Sequence, residues 1–366
     1  MPQLTQAHAR QAHRRLDLPA VRHLYPGYFA LVMATGICST AMRDIGYLRL
    51  SAVLLAIAVV AFGVLCCALT LRVIRYRQEL LADLAAPDRA YAFVTFVAAC
   101  EVVAVRLAGD RHDTASVLPA VLGAVAWLGL SYTIPVRLIL GPRPRPVLVG
   151  VNGTWFIWVV GTQSLAVSAA VLDRDTSGDA RVTALAAVLM WSVGVVLYLV
   201  VATLVLARLL LLEVRPEDLT PPYWVTMGAT AITVLAAARI LNMAPAPALA
   251  ATRPVVAGLG VMLWAFGTWL IPLLVVFGVW RHVLRRVRLS YLPALWSIVF
   301  PLGMYATASM ELGKAASLPI IEDIGRTWTW VALPAWAAVF IAMCTSLVTS
   351  AARWIRTYHD QRPAGG

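Results

Sequence analysis

Ten apolar runs, each long enough to cross a lipid bilayer, constrain the fold of this 366-residue chain more than any other feature. A hydrocarbon core about 30 Å thick is crossed by about 20 residues of helix. Hydrophobic residues make up 61% of the chain and charged residues 13%, against roughly 25% charged residues in a soluble domain. We therefore predict an all-α integral membrane protein with ten transmembrane helices. The runs are 25–42, 48–71, 90–107, 115–136 (interrupted by Pro119 and Pro135), 151–172, 182–207, 221–241, 254–280, 291–313 and 327–352.

The basic residues predict the orientation of these runs. The net charge is +12, and the arginines fall mainly in short segments between the runs, which indicates membrane topology and not nucleic-acid binding. With the N-terminus inside, the inner segments hold 20 of the 30 Lys and Arg residues. We predict a plasma-membrane protein with both termini in the cytoplasm. It would have a basic N-terminal segment (1–24), a transmembrane channel or transporter domain (25–352) and a C-terminal tail (353–366).

Two kinds of run alternate along the chain. The even-numbered runs, such as "RLSAVLLAIAVVAFGVLCCALTL", are dominated by Ala, Val and Leu. The odd-numbered runs are interrupted by small and polar residues, among them Thr35, Gly36, Gly161 and Gly228. Such residues permit close helix packing in lipid, and they also line water-filled passages. Packing alone does not explain their concentration in alternate runs. We predict five helical hairpins around a central pore, with odd helices inside and even helices outside.

The ninth run carries a polar face. In "YLPALWSIVFPLGMYATASMELGKA", residues 291–315, Pro301 and Gly303 interrupt the apolar sequence. At about 100° per residue, several residues lie within roughly 60° of Phe300 on a helix: Ser297, Met304, Thr307, Glu311 and Lys314. Pro301 lacks an N–H and its ring clashes with the preceding turn, so we predict a kink there. This face would line an aqueous path, and the ring of Phe300 would obstruct it.

Charged residues within the runs are candidates for function, because each costs about 3 kcal/mol at mid-helix. Glu101 is the deepest, whereas Arg106, Arg239, Glu311 and Lys314 lie nearer the outer ends. For these end residues, the alternatives are an outer vestibule and simple snorkelling or a local Glu311–Lys314 pair. For Glu101, they are a direct role in transport and a structural role as an ion-pair member or a neutral acid.

Three stretches resemble the tellurite-resistance and dicarboxylate transporter family: "YPGYFALVMATGICSTAM", "YWVTMGATAI" and "WSIVFPLGMYATA". That family includes the slow anion channels of plant guard cells and the malate and sulfite transporters of yeast. The resemblance covers roughly residues 20 to 355. It implies ten helices in five hairpins, odd helices curved around a pore, and a homotrimer. It also implies that Phe300, in the context Trp296 to Pro301, occludes the pore. The substrate stays open among chloride, nitrate, sulfite, C4-dicarboxylates and tellurite-related anions.

Other functional classes find little support in the sequence. A membrane-embedded enzyme needs a nucleophile–base pair or metal ligands at membrane depth, but all six histidines lie in tails or loops, and the five cysteines show no CxxC spacing. Lys314 is the only lysine, and its place at a run's end disfavours a retinal Schiff base. We expect no cofactor and no metal, with small anions and membrane lipids as partners. A passive channel and a proton-coupled dicarboxylate or sulfite carrier both remain open.

Overall fold

The computed structural model describes residues 18–109, 113–142, 146–172 and 180–360. Most of the predicted N-terminal segment (1–17) and the end of the tail (361–366) lie outside the described residues. Within the described ranges the chain is helical and contains no strand. Two short helices, Pro19–Arg22 and Arg77–Ala85, accompany ten long ones. The long helices are α1 (Ala30–Asp44), α2 (Leu48–Arg75), α3 (Thr95–Gly109), α4 (Asp113–Leu140), α5 (Phe156–Leu172), α6 (Ala180–Leu211), α7 (Val225–Leu241), α8 (Pro247–Val279), α9 (Trp296–Ala315) and α10 (Pro319–Asp360).

Eight of the long helices, with the turns that extend them, are long and apolar enough to cross a membrane. The exceptions are α1 and α9. Most residues of both helices are buried within the protein, 12 of 15 in α1 and 17 of 20 in α9. A helix shielded from lipid by its neighbours does not need a uniformly apolar surface. Pro119 and Pro135 lie inside α4 without ending it, and α9 continues through Pro301.

Burial divides the helices into two groups. Of the residues in the apolar segments of α3, α5 and α7, between 72% and 83% are buried, against 11% to 28% for the five even-numbered helices. The inner helices pack side by side in the order α1, α3, α5, α7 and α9, and α9 packs back against α1 to close the ring. Each inner helix also packs against the outer helix that follows it in the chain.

A short 3₁₀ turn precedes every inner helix. The five turns are Pro26–Phe29, Ala90–Val94, Gly153–Trp155, Pro221–Trp224 and Pro293–Leu295. Four of them begin with Pro or Gly, and an aromatic residue lies within or directly after each one. Proline suits a first helical position because its missing N–H would have no partner there. The turns therefore mark a fivefold structural repeat that is weak in the sequence.

Tryptophans tie the outer helices to the ring. Trp127 of α4, Trp264 of α8 and Trp336 of α10 donate indole N–H bonds to hydroxyls of the next inner helix, at 2.9, 2.8 and 3.0 Å. The acceptors are Thr162, Ser309 and Thr35. Trp191 of α6 donates in the same way to the carbonyl of Thr233 on α7. A buried polar group needs a partner in an apolar environment, so these bonds attach four of the five outer helices to the next inner helix, in addition to the inner helix that precedes each of them in the chain.

The four glycines named above lie at contacts between neighbouring parts of the ring. Gly36 faces Val102, and Gly161 faces Val94. A Cβ atom built on Gly228 would lie 2.8 Å from Cγ of Pro301, and one on Gly303 would lie 2.8 Å from Cγ2 of Ile37. These distances are shorter than carbon atoms tolerate, so the glycines allow the inner helices to approach closely.

We expect Gly228→Ala to lower stability, because the added methyl group meets the rigid ring of Pro301. Overpacking of this kind costs about 1–3 kcal/mol. The matched control is Gly258→Ala on α8, where a Cβ meets nothing within 4 Å. Melting temperatures in detergent provide the measurement. Equal values for the two variants would contradict the close α7–α9 contact.

Candidate functional site

The five inner helices enclose a central cavity of about 40 Å³. All five contribute to its lining, and they do so from the middle or the C-terminal half of each helix. The lining residues are Ile37, Thr40, Glu101, Val102, Val105, Ser164, Val167, Ile232, Leu235, Arg239, Met304 and Thr307. A space of this size holds a few water molecules or one small ion. The cavity is thus a place where residues of all five inner helices meet.

Three residues that line the central cavity carry buried polar atoms without a hydrogen-bond partner among the described residues. These atoms are both carboxyl oxygens of Glu101, the hydroxyl of Thr307 and Nε of Arg239. The hydroxyls of Thr40 and Ser164 bond to carbonyls of their own helices, so they can still accept a further bond. Unpaired buried polar groups are rare in native proteins. Their convergence on one cavity indicates a place for water or a polar solute.

Glu101 lies in the middle of α3 and is 1% exposed. Its carboxyl group packs against Gly123 of α4, and it forms no ion pair with any described Lys or Arg. Ser168 of α5 is close to this carboxyl group, yet neither side chain has a hydrogen-bond partner among the residues that the structure describes. The alternative in which Glu101 belongs to an ion pair therefore has no cationic partner to support it within the described ranges. A neutral acid and a direct role in transport remain.

A cluster of charges occupies the C-terminal ends of α1, α7 and α9. Glu311 lies 3.3 Å from Nη1 of Arg239 and 3.7 Å from Nζ of Lys314. Asp44 is close enough to interact with Glu311, Arg239, Lys314 and Arg43. Three cations thus face two acids at this end of the ring. Because Arg239 also lines the central cavity, the charged cluster adjoins the cavity.

Phe300 is 1% exposed and lies one helical turn before Met304, the first residue of α9 that lines the cavity. It is not itself a lining residue, and the cavity extends from Met304 and Thr307 toward the charged cluster. Ser297, a further turn back, is buried as well. Phe300 therefore lies on α9 one turn before the cavity, on the side away from the charged cluster.

Some predicted site residues lie elsewhere. The hydroxyl of Thr35 accepts the bond from Trp336 on the outer helix α10. The four glycines pack the ring and do not line the cavity. Arg106 binds the hydroxyls of Ser39 and Ser51, at 3.1 and 2.7 Å, which joins α3 to α1 and α2.

Sequence reasoning missed two polar residues of the lining, Thr40 and Ser164. A signal was present, because they follow Gly36 and Gly161 by four and three residues. Residues at these spacings share one side of a helix. The glycines that pack the ring thus lie beside the residues that line the cavity.

Comparison with known proteins gives one family match over most of the chain. The profile of the voltage-dependent anion channel family matches residues 23–344. A transporter of Methanocaldococcus jannaschii is 24% identical over 344 residues, which cover 92% of this chain and 96% of the relative. The sulfite efflux pump SSU1 of Trichophyton rubrum is 23% identical over 361 residues, covering 90% and 92%. A membrane protein of Mycobacterium tuberculosis is 55% identical over 163 residues, covering 44% and 83%.

Proposed function

Because the chain belongs to the voltage-dependent anion channel family, we propose that it moves small anions across the membrane through the centre of its inner ring. The relatives carry the names transporter and sulfite efflux pump, not names of enzymes. Chloride, nitrate and sulfite are the substrates that this proposal favours. The anion would enter through the charged cluster, occupy the central cavity and pass Phe300.

One observation carries the proposal: all five inner helices line one cavity, and its lining residues Glu101, Thr307 and Arg239 have buried polar atoms without a partner in the described part of the chain. A guanidinium attracts an anion, while hydroxyls replace only part of its water shell. Binding of moderate strength follows, and such binding allows an ion to leave as readily as it enters. A closed apolar core would offer none of these groups.

The finer architecture belongs to the same proposal. Ten helices would cross the membrane as five hairpins, with α1 and α9 shielded inside the ring. The excess of arginine in alternate segments supports cytoplasmic termini in a plasma membrane. Phe300 would occlude the pore at the end of the cavity that lies away from the charged cluster. A homotrimer is proposed from family resemblance, and each protomer would have its own ring.

Reconstitution into liposomes tests the function directly. Protein-containing vesicles loaded with chloride should release it when a potassium gradient and valinomycin set the voltage. Empty vesicles and vesicles containing a heat-denatured sample provide the controls. Absence of flux for chloride, nitrate and sulfite, from protein shown to be folded and inserted, would contradict the proposal.

We expect modest selectivity among small monovalent anions. The cavity offers hydroxyls and one arginine rather than a rigid cage of ligands, and weak sites discriminate weakly. Chloride and nitrate should therefore permeate within about tenfold of each other, a difference of about 1.4 kcal/mol. Reversal potentials under two-anion gradients measure the ratio. Strict selectivity for dicarboxylates would show that the inferred path is wrong.

A proton-coupled carrier is the second candidate, and Glu101 favours it. Glu101 is a lining residue of the cavity, and its carboxyl oxygens have no hydrogen-bond partner among the described residues, as is expected of a group that exchanges a proton during transport. A proton gradient at zero membrane potential separates the two mechanisms, because only a carrier would accumulate the anion against its own gradient.

A further inference from the structure

A long apolar groove runs between the outer helices α6 and α8, away from the central cavity. Its volume is about 790 Å³. Phe156 of α5 and Tyr223 of the turn before α7 contribute to its floor, and both are buried. Its walls come from the C-terminal halves of the two outer helices, including Ala202 and Phe277. By the charge topology, these halves lie in the cytoplasmic leaflet.

The groove joins a smaller cavity of about 210 Å³ at its cytoplasmic end. The two share four lining residues, Leu219, Tyr223, Leu274 and Phe277. Arg281 and His282 also line the smaller cavity, which we call the basic end of the groove. The groove is therefore apolar along its length and basic at one end.

The guanidinium group of Arg281, at the basic end, has a hydrogen-bond donor without an acceptor among the described residues. One terminal nitrogen donates to the carbonyl of Leu219, but its Nε is buried without an acceptor among the described residues. Arg285 places its guanidinium 5.2 Å from the centre of the Trp280 ring, and Trp280 lines the groove. The acid that acts on Arg281, Glu217, is exposed and lines neither cavity.

We propose that this groove binds an anionic phospholipid of the cytoplasmic leaflet, with an acyl chain between α6 and α8 and the phosphate at Arg281 and Arg285. An apolar slot that ends in unpaired guanidinium nitrogen is complementary to a molecule with an apolar chain and an anionic head. Guanidinium groups pair readily with phosphate oxygens. Anionic lipids of the cytoplasmic leaflet also attract basic segments near the membrane surface. The site is separate from the anion path, so it does not depend on the proposed transport activity.

Thermal unfolding in detergent tests the headgroup. Phosphatidylglycerol and phosphatidylcholine with identical acyl chains are added separately to the purified protein. A lipid that binds only the folded state raises the melting temperature, so phosphatidylglycerol should raise it by several degrees more. Arg285→Gln should remove most of that difference, whereas Arg288→Gln, which removes an exposed arginine of the same segment, should preserve it. Equal shifts with the two lipids would overturn the proposal.

Filling the groove tests the acyl chain. Ala202→Trp places a large side chain in the groove, and Ala56→Trp places the same side chain on the exposed face of α2. Phosphatidylglycerol retained after purification should fall severalfold in the first variant and stay unchanged in the second. Wild-type retention in Ala202→Trp would overturn the proposal. So would a changed oligomeric mass with unchanged lipid, because the groove would then be a contact between copies of the chain.

Discussion

Phe300→Ala is expected to raise basal anion conductance about tenfold or more, equivalent to a barrier lower by at least about 1.4 kcal/mol. Phe300 lies one helical turn before the cavity residue Met304, and its side chain is almost completely buried among the inner helices. An ion that passes such a point must lose its water shell, which raises the barrier to conduction. Alanine leaves room for water, so the anion keeps part of that shell. Planar-bilayer or liposome currents measure the change.

Two further variants make this result specific. Phe300→Leu should give a smaller rise, because leucine still fills part of the path. Phe266→Ala removes the same ring from the outer helix α8, where the side chain is 41% exposed, and should leave conductance unchanged. Because Phe300 is buried, its truncation also removes packing contacts, so folding and oligomeric mass are measured alongside. Equal conductance in wild type and folded Phe300→Ala would exclude Phe300 as the gate.

The sequence predicted the family and the division into two kinds of helix. The family match confirms the resemblance inferred from three short stretches. The low burial of the even-numbered helices follows from their Ala, Val and Leu content, since side chains that face lipid need only be apolar. The composition of one helix is a local property, so it can be read from the sequence without knowing which helices pack against it.

Contacts between helices were less predictable. Helical periodicity places Thr35 on a defined side of α1, but it does not reveal that Trp336, distant in sequence, donates to that hydroxyl. The glycines of the odd runs signalled close approach or a water path, and only the packed ring shows their contacts, such as Gly228 against Pro301. The role of a glycine depends on which neighbouring residue packs against it, and the sequence does not show that neighbour.

The charged residues show the same limit. For Glu311, Lys314 and Arg239 the sequence left open an outer vestibule and snorkelling or a local Glu311–Lys314 pair. In the structure, Glu311 lies within ion-pair distance of both Arg239 and Lys314. The sequence did not identify Asp44, which lies just beyond the first predicted run. For Glu101, depth in the membrane was evident, but the absence of a cation beside it in the described part of the chain depends on tertiary packing.

Glu101→Gln is expected to remove the dependence of anion flux on pH while preserving the fold. Glu101 is a lining residue of the cavity, so its ionised form places a negative charge near the proposed path of the anion. At about 6 Å and an effective dielectric constant of about 20, such a charge raises the energy of a monovalent anion by roughly 3 kcal/mol. Wild-type flux should therefore rise as the pH falls. The variant should show a constant flux, equal to that of the wild type at low pH.

Other titratable groups near the path require a matched control. Arg239 shares the cavity with Glu101, and Asp44, Glu311 and Lys314 lie at its mouth. Asp44→Asn removes an acid from the mouth and should retain the pH dependence. If Glu101→Gln keeps the pH dependence of the wild type, Glu101 has no role in transport. If the variant also melts at a lower temperature, Glu101 has a structural role.

A proton gradient separates the two mechanisms. If only the wild type accumulates anion against its gradient when protons flow inward, Glu101 carries the coupled proton. Passive anion flux that depends on pH would identify a channel, because a charge beside an open path changes the anion conductance without coupling anion movement to proton movement.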